Sequence, residues 1–138
     1  MKVLLDTNVI LDVWLAREPF WRDSASLLGK VEKNEIGGVI APHTITTLHY
    51  LGKKVLGEDR TRQLLNSLLD ICKVGNTSEK AFKSALKSEI SDFEDAVIDA
   101  VSVASKADFI ATRNIKDFKK SKIAPLEPSQ IIKGEQGV

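Results

Sequence analysis

The sequence predicts an α/β domain built on a mostly parallel sheet of about five strands, and three observations favour this class. Short apolar segments alternate along the chain with segments whose apolar residues recur at helical spacing. Alternation of this kind is typical of parallel strands that are joined by crossover helices. Polar residues also follow two of the strands directly, and parallel sheets bind their ligands at the carboxyl ends of the strands.

The first half of the chain contains three predicted strands and four predicted helices. Pro19 opens the second helix and Gly57 ends the third. We expect the pair Gly37-Gly38 to break the pattern before the second strand, and Pro42 to stop that strand. The strands cover residues 2–5, 39–41 and 71–74, and the helices cover about residues 8–15, 19–34, 44–55 and 59–69.

The second half contains two signatures of the capping-box type, which mark the starts of helices. Asn76 is followed three residues later by Glu79, and Ser91 is followed in the same way by Glu94. The other predicted elements are a helix at about residues 92–105, strands at 107–111 and 123–126, a loop at 112–118 and a last helical turn at 128–132.

The composition indicates one globular domain, at residues 1–132, with a structureless tail at residues 133–138. The chain has 138 residues, of which 43% are hydrophobic and 28% charged, as is ordinary for a globular protein. The net charge of +1, from 20 basic and 19 acidic residues, gives no general case for binding nucleic acid or a membrane. The single cysteine, Cys72, excludes an internal disulfide and a cysteine-based metal cluster, and it suits a reducing compartment.

Neither a signal peptide nor a membrane span is predicted. Asp6 and Asp12 interrupt the N-terminal apolar stretch, and no apolar run approaches the roughly 18 residues that a span requires. We therefore expect a cytoplasmic protein that does not bind membranes.

The first candidate site is the tripeptide Asp6-Thr7-Asn8, at a junction between a strand and a helix. All three residue types are common helix caps, so capping alone can explain them. The same position in an α/β sheet is also where functional groups are found. The tripeptide by itself leaves both interpretations open.

The second candidate is the predicted helix near residues 92–105, in which Asp92, Asp95 and Asp99 lie on one face. Capping and the helix dipole can explain acids in the first turn. Asp99 lies deeper, in an apolar stretch, where an unpaired carboxylate costs several kcal/mol. Two carboxylates about 4 Å apart repel by roughly 4 kcal/mol at an effective dielectric near 20, unless a cation lies between them. Mg²⁺ and Mn²⁺ prefer such oxygen ligands.

The third candidate is the segment from Thr112 to Phe118, which follows the fourth strand. Arg113 and Lys116 suit phosphate contact, and Asp117 adds an acid, although a polar surface loop is the simpler interpretation. The three candidates converge on one edge of the sheet. That conjunction is the arrangement needed to hold a divalent metal near a phosphodiester.

Together these segments resemble the PIN-domain ribonucleases, and they are most similar to the VapC-like toxins of type II toxin–antitoxin modules. LLDTNVILD at the first strand, Asp95-Ala96 in the late helix and TRNIKDF after the fourth strand carry the resemblance, which covers residues 2 to about 126. The resemblance implies a three-layer α/β/α sandwich and an endoribonuclease that depends on Mg²⁺ or Mn²⁺ and hydrolyses RNA. It also implies a cognate antitoxin as partner and a homodimer, to which Phe20 and Trp21 add weak support.

The resemblance also implies roles for individual residues. Asp6 and Asp95 match the family acids that hold metal, and Asp117 or Asn114 matches the acid after the fourth strand. The predicted catalytic set is Asp6, Asp95, Asp117 and Asn114; the metal ligands are Asp6, Asp95, Asp92 and Asp117; Asn8, Thr112 and Arg113 orient ligands or phosphate; Asp99 completes the metal shell directly or through water.

Two departures from the family pattern leave fewer anionic ligands. Thr47 stands where the family usually has a Glu, and Asn114 stands where it often has an Asp. The alternative is therefore a degenerate PIN domain that binds RNA or a protein without efficient cleavage. An unrelated phosphotransfer or receiver domain is disfavoured, because Asp12 lies too far along its helix to pair with Asp6. His43 and His49 flank Thr47; one of them near the site is a hypothesis, while surface histidines are the simpler interpretation.

Overall fold

The computed structural model describes residues 1–136, and within them it confirms a parallel five-stranded sheet in the order β3-β2-β1-β4-β5. All four strand pairings are parallel, so each connection crosses over through helices. The elements are β1 (Lys2–Leu5), α1 (Thr7–Trp14), α2 (Trp21–Glu32), β2 (Gly37–Ile40), α3 (Pro42–Leu56), α4 (Glu58–Ile71), β3 (Cys72–Val74), α5 (Glu79–Leu86), α6 (Phe93–Ala104), β4 (Phe109–Ala111), a 3₁₀ turn (Ile115–Phe118), β5 (Ala124–Leu126) and α7 (Pro128–Gln136).

The sheet is covered on both faces, which confirms the three-layer sandwich. Side chains of the central strand alternate between two separate cores: Val3 and Leu5 belong to one, and Leu4 belongs to the other. The first core packs against α1 to α4 and α7, and the second packs against α5 and α6. Because both faces are buried, β1 is apolar without interruption, as is typical of parallel strands.

The strand β2 begins at Gly37, two residues earlier than predicted, so the pair of glycines does not break the pattern. A Cβ atom on Gly38 would lie 2.7 Å from Val31 Cγ1 and 3.0 Å from Cys72 Sγ. Helix α2 therefore packs against the strand at a distance that only glycine permits. Cys72 is a buried core residue, as predicted for a cysteine in apolar surroundings, and burial raises the pKa of its thiol to about 12.

Helix α2 begins at Trp21 and not at Pro19, and three further helix starts differ from their predictions. Ser78 caps α5 by accepting a hydrogen bond from the Ala81 amide at 3.3 Å, so Asn76 is not the cap. Asp92 caps α6 in the same way, one residue after the predicted Ser91. Pro42 opens α3 at its first turn instead of merely stopping β2, because its missing N–H is not needed there.

The C-terminal helix α7 extends through Gln136, beyond the domain boundary expected at residue 132. The expected structureless tail is therefore helical from Lys133 to Gln136, and its last two residues lie outside the described part of the chain. None of the helices in residues 1–136 is long and apolar enough to cross a membrane.

Candidate active site

Asp6 lies where the central strand β1 meets helix α1, and it both caps the helix and faces the edge of the sheet. Its Oδ1 accepts a hydrogen bond from the Thr7 amide at 2.9 Å, and its Oδ2 accepts one from the Thr112 hydroxyl at 2.8 Å. Only 6% of Asp6 is exposed. Asp6 is thus the helix cap, and Asn8, which also had capping potential, lies within the first turn of α1.

Strand β4 brings the second polar segment to Asp6. The Asp6 amide donates to the Ala111 carbonyl at 3.0 Å, which places Thr112 directly beside the Asp6 carboxylate. The buried Thr112 hydroxyl donates to Asp6 and accepts from the Asn114 amide at 3.0 Å. The Thr112 hydroxyl is therefore held from both sides, by the Asp6 carboxylate and by the Asn114 amide.

Helix α6 contributes the third segment through its first turn. Oδ1 of Asp92 accepts a hydrogen bond from the Asp95 amide at 3.0 Å. Burial and, after it, the negative charges of neighbouring carboxylates together raise the pKa of Asp95 to about 7, and Asp6 is the strongest of those carboxylates. The other carboxylates that raise this pKa are Asp92, Asp117 and Glu94.

These five carboxylates form what we call the acidic cluster: Asp6, Asp92, Glu94, Asp95 and Asp117. Burial also raises the pKa of Asp6; the hydrogen bonds from Thr112 and Thr7 oppose that rise, and the charges of Glu94 and Asp117 add to it. In residues 1–136, no lysine or arginine forms an ion pair with any member of the cluster. The cluster is an accumulation of like charge whose basic contact in these residues is His43, 4.0 Å from Glu94.

The donor atoms of the cluster suit a hard divalent cation, although they are not gathered into a closed cage. In the described residues, no group of three or more His, Cys, Asp or Glu side chains is placed to hold one ion together. Mg²⁺ keeps several waters and is commonly bound by one or two carboxylates. Asp6 and Asp95 are two such carboxylates, and Asp92 and Asp117 are close enough to raise the pKa of Asp95.

Helix α3 faces the cluster with neutral groups. Thr44 is buried, and its hydroxyl accepts a hydrogen bond from the Thr7 hydroxyl at 3.1 Å. Thr47 is half-buried, one turn further along, and the described residues offer its side chain no hydrogen bond. Thr47, which stands where the family usually has a Glu, thus lies on a helix that supplies hydroxyl groups at this edge.

His43 also lies at this edge. From the sequence, a histidine near the site was the less favoured of the two interpretations. Its Nε2 is 4.0 Å from Oε1 of Glu94, too far for a hydrogen bond. Burial lowers the pKa of His43, and the charge of Glu94 partly opposes that shift. His49, in contrast, contacts Glu58 at 2.6 Å on the outer side of α3 and α4.

Asp99, which was predicted to complete a metal shell directly or through water, does not join the acidic cluster: it is not among the carboxylates that raise the pKa of Asp6 or Asp95. Only 5% of Asp99 is exposed, and its carboxylate accepts hydrogen bonds from the Lys122 amide at 3.0 Å and the Ile123 amide at 3.2 Å. Hydrogen bonds from backbone N–H groups stabilise a buried carboxylate without any cation. Asp99 therefore fixes the segment before β5.

The phosphate-contact prediction requires Arg113 to point its charge at the site. Its charge points instead at Asp12 and Phe20. Its Nε lies 2.8 Å from Oδ2 of Asp12, and its guanidinium carbon lies 4.4 Å from the centre of the Phe20 ring. Sequence reasoning missed Asp12 as a partner of this loop. The signal was present, because Asp12 interrupts an apolar helical stretch in the same way as Asp99 does.

Comparisons with known proteins show the family and the fold of the chain. Residues 2–116 match the family model of the PIN domain. No curated protein sequence matches the chain. Among solved structures, the fold is similar to chains in three complexes, at identities that establish the fold alone.

A chain of the VapBC2 complex from Rickettsia felis, bound to a promoter DNA fragment, is 20% identical with a TM-score of 0.72, covering 92% of this chain and 98% of that one. A chain of VapBC-1 from nontypeable Haemophilus influenzae is 17% identical with a TM-score of 0.70, covering 94% and 99%. A chain of a toxin–antitoxin complex from Klebsiella pneumoniae is 24% identical with a TM-score of 0.69, covering 91% and 97%.

The family match spans most of the chain and includes the three segments that form the acidic cluster, except for the end of the last one. The parallel sheet and the helices on both of its faces are arranged as the sequence resemblance implied. The chain therefore belongs to the PIN-domain family.

Proposed function

We propose that this protein is an endoribonuclease that depends on Mg²⁺ or Mn²⁺ and hydrolyses phosphodiester bonds of RNA, as the toxin of a type II toxin–antitoxin pair. The observation that carries the proposal is the acidic cluster, whose carboxylates raise the pKa of Asp95 and of Asp6 and form no ion pair with a lysine or arginine in residues 1–136. A cluster that destabilises the fold by repulsion is best explained by a ligand of opposite charge.

Asp6 and Asp95 are the proposed metal ligands, and Asp92, Asp117 or Asn114 complete the shell directly or through water. When bound, the cation supplies a water of lowered pKa and neutralises charge on the phosphate. The chain itself orients the carboxylates: Thr112 fixes one oxygen of Asp6, and the helix cap fixes the other. Asn8 and Asn114, both half-buried at the edge, are proposed to orient water or substrate.

The fold supports the proposed partners and their place in the cell. The similar chains come from toxin–antitoxin complexes, and we extend that arrangement to a cognate antitoxin for this chain. A homodimer, RNA as substrate and a cytoplasmic location complete the proposal. Expression in a bacterial host, with and without the small reading frame adjacent to this gene, tests the toxin role: growth arrest that the neighbouring product relieves supports it.

The direct test is cleavage of single-stranded RNA by the purified protein with Mg²⁺, with Mn²⁺ and with a chelator. We expect cleavage only with a divalent cation, and we expect its loss in Asp6→Asn and Asp95→Asn. Asp70→Asn is the matched control, because Asp70 is an exposed acid on α4, which contributes no residue to the cluster. Equal cleavage by wild type and Asp6→Asn would contradict the assignment of Asp6.

The second candidate is a domain that binds RNA or a protein without efficient cleavage. The hydroxyl groups of Thr44 and Thr47 on α3 favour it, because they leave that side of the site without an anionic ligand. Calorimetric titration of Mn²⁺ separates the two candidates. RNA binding without Mn²⁺ binding or cleavage would favour the second.

A further inference from the structure

Helix α1 carries two buried aspartates, and both contact the loop that follows β4. Asp6, at the start of the helix, accepts a hydrogen bond from Thr112. Asp12, in the second half of the helix, pairs with Arg113. Two consecutive residues of one loop are therefore held by two carboxylates of one helix, and only the first of these carboxylates belongs to the acidic cluster.

The Arg113 side chain is enclosed on two sides. Its Nε lies 2.8 Å from Asp12, its guanidinium group lies over the Phe20 ring at 4.4 Å, and 27% of the side chain is exposed. A planar guanidinium that pairs with a carboxylate and stacks on an aromatic ring is restricted in orientation, and its charge is already neutralised. This arrangement favours a role in fixing the loop over contact with phosphate.

Asp12 requires this partner. Its side chain is 1% exposed, and an uncompensated buried carboxylate is strongly unfavourable. Arg17 also approaches Asp12, but at 3.6 Å and with 40% of its side chain exposed. Arg113 is the closer and more buried of the two cations, so the position of the loop and the charge of Asp12 depend on each other.

The loop transmits this restraint to the acidic cluster through a continuous set of contacts. Arg113 forms an ion pair with Asp12, and the preceding residue, Thr112, donates its hydroxyl to Asp6. The following residue, Asn114, donates its amide to the same hydroxyl. A shift of Arg113 would therefore move both of its neighbours in the chain, Thr112 with its hydroxyl and Asn114 with the amide that donates to that hydroxyl.

We propose that Asp12 and Arg113 form a positioning pair that holds the Thr112 hydroxyl against Asp6 and so sets the orientation of the Asp6 carboxylate. Neither residue touches the substrate or the cation in this proposal. The kinetic consequence rests on the proposed ribonuclease function, whereas the effect on the loop does not.

The kinetic test compares Asp12→Asn, Arg113→Gln, the double variant and Arg113→Lys with wild type in RNA cleavage. We expect kcat to fall about 10- to 100-fold in each single Asn or Gln variant, because small misplacements of reacting groups have effects of this size. KM should stay within about twofold, since ground-state binding is not altered. The double variant should be no worse than the poorer single variant, because the two residues act as one unit.

Arg113→Lys should retain part of the lost kcat, because an ammonium group keeps the charge beside Asp12 but not the planar pairing geometry. Arg17→Gln is the matched control: Arg17 contacts the same carboxylate but is not part of the loop, so its kcat should match wild type. A raised KM with unchanged kcat in Arg113→Gln alone would overturn the proposal in favour of phosphate contact. A lowered melting temperature with unchanged kcat per folded molecule would overturn it in favour of a structural role only.

Hydrogen exchange of the backbone amides tests the loop without any assay of activity. We expect the amide of Asn114 to exchange faster in Asp12→Asn than in wild type, and to be unchanged in Arg17→Gln. If wild type cleaves no RNA but exchange changes in this way, the proposed function fails and the positioning pair stands. Unchanged exchange at Asn114 would overturn the positioning pair whatever the activity.

Discussion

The acidic cluster at the edge of the sheet contrasts with two other buried carboxylates, Asp12 and Asp99. Asp12 faces two arginines, and Asp99 accepts hydrogen bonds from two backbone amides. Asp6 is equally buried, but its surroundings include hydroxyl and amide donors together with further carboxylates, and burial raises its pKa. Burial alone therefore does not distinguish a functional acid in this fold. The distinction is whether the protein itself neutralises the charge.

The largest effect that tests this contrast is the loss of RNA cleavage in Asp6→Asn. We expect a decrease of at least about 100-fold, because a bound cation supplies several kcal/mol of stabilisation in such reactions. The melting temperature should change little, since Asn also caps helices well and the substitution removes repulsion. Cleavage rates and thermal unfolding of the same preparations check both parts. A large drop in melting temperature would show that Asp6, like Asp12 and Asp99, serves mainly to stabilise the fold.

The reverse pattern is expected for Asp99→Asn. Hydrogen bonds to a charged acceptor contribute about 1.5–3 kcal/mol, so the free energy of unfolding should fall by roughly 2–3 kcal/mol. Cleavage per folded molecule should remain at the wild-type level, because Asp99 lies outside the acidic cluster. Urea unfolding monitored by circular dichroism measures the free energy of unfolding. RNA cleavage at low temperature measures the activity per folded molecule. Wild-type stability in this variant would contradict the structural role.

A divalent cation should stabilise the protein through the acidic cluster. At a Mn²⁺ concentration of 100 times the dissociation constant, the free energy of unfolding should rise by about 2.7 kcal/mol. Thermal unfolding with and without Mn²⁺ measures it, and Asp95→Asn should remove most of the gain. Asp12→Asn should keep most of it, so equal loss in both variants would contradict the division between the two groups.

The smallest effect is the pH dependence of stability without a cation. The pKa of Asp95 is about 7 in the folded protein, above its unfolded value, so the folded state binds more protons between about pH 4 and pH 7. Stability from this group is therefore lost as the pH rises through that window and is constant above it. Asp6 adds an effect of the same sign, while the lowered pKa of His43 adds one of opposite sign near pH 6.

The difference in melting temperature between wild type and Asp95→Asn, measured from pH 4.5 to pH 8, isolates the effect of Asp95. The variant should gain on wild type as the pH rises. A constant difference across this range would show that Asp95 does not titrate there, and it would weaken the case for an unneutralised cluster.

The sequence predicted the sheet well because each strand is a short apolar run between clear turn signals, as β1 shows. It predicted less well which of several polar residues caps a helix. Ser91 and Asp92 are both good caps, and only the backbone conformation decides between them. Gly37-Gly38 misled for a related reason, because close packing of α2 on β2 requires glycine inside a strand.

Asp6 and Asp117 were predictable because they come after β1 and β4, and parallel topology brings strand ends together. The roles of Asp99 and Arg113 were not, because their partners lie far away in the chain. The donors to Asp99 come from the segment before β5, and the partner of Arg113 lies on α1. Side-chain spacing within one helix carries no information about such contacts.

The hydrogen bond between Thr112 and Asp6 has a consequence for how the protein is made. It joins residues that are 106 positions apart in the chain. Asp6 follows the central strand β1, and Thr112 follows β4, which neighbours β1 in the sheet. Chains are synthesised from the N-terminus, so Asp6 leaves the ribosome long before α6 and β4. A nascent chain therefore carries the first acid of the cluster but cannot assemble the rest until most of its length has emerged. Release of the nearly complete polypeptide and assembly of the cluster are thus coupled in time.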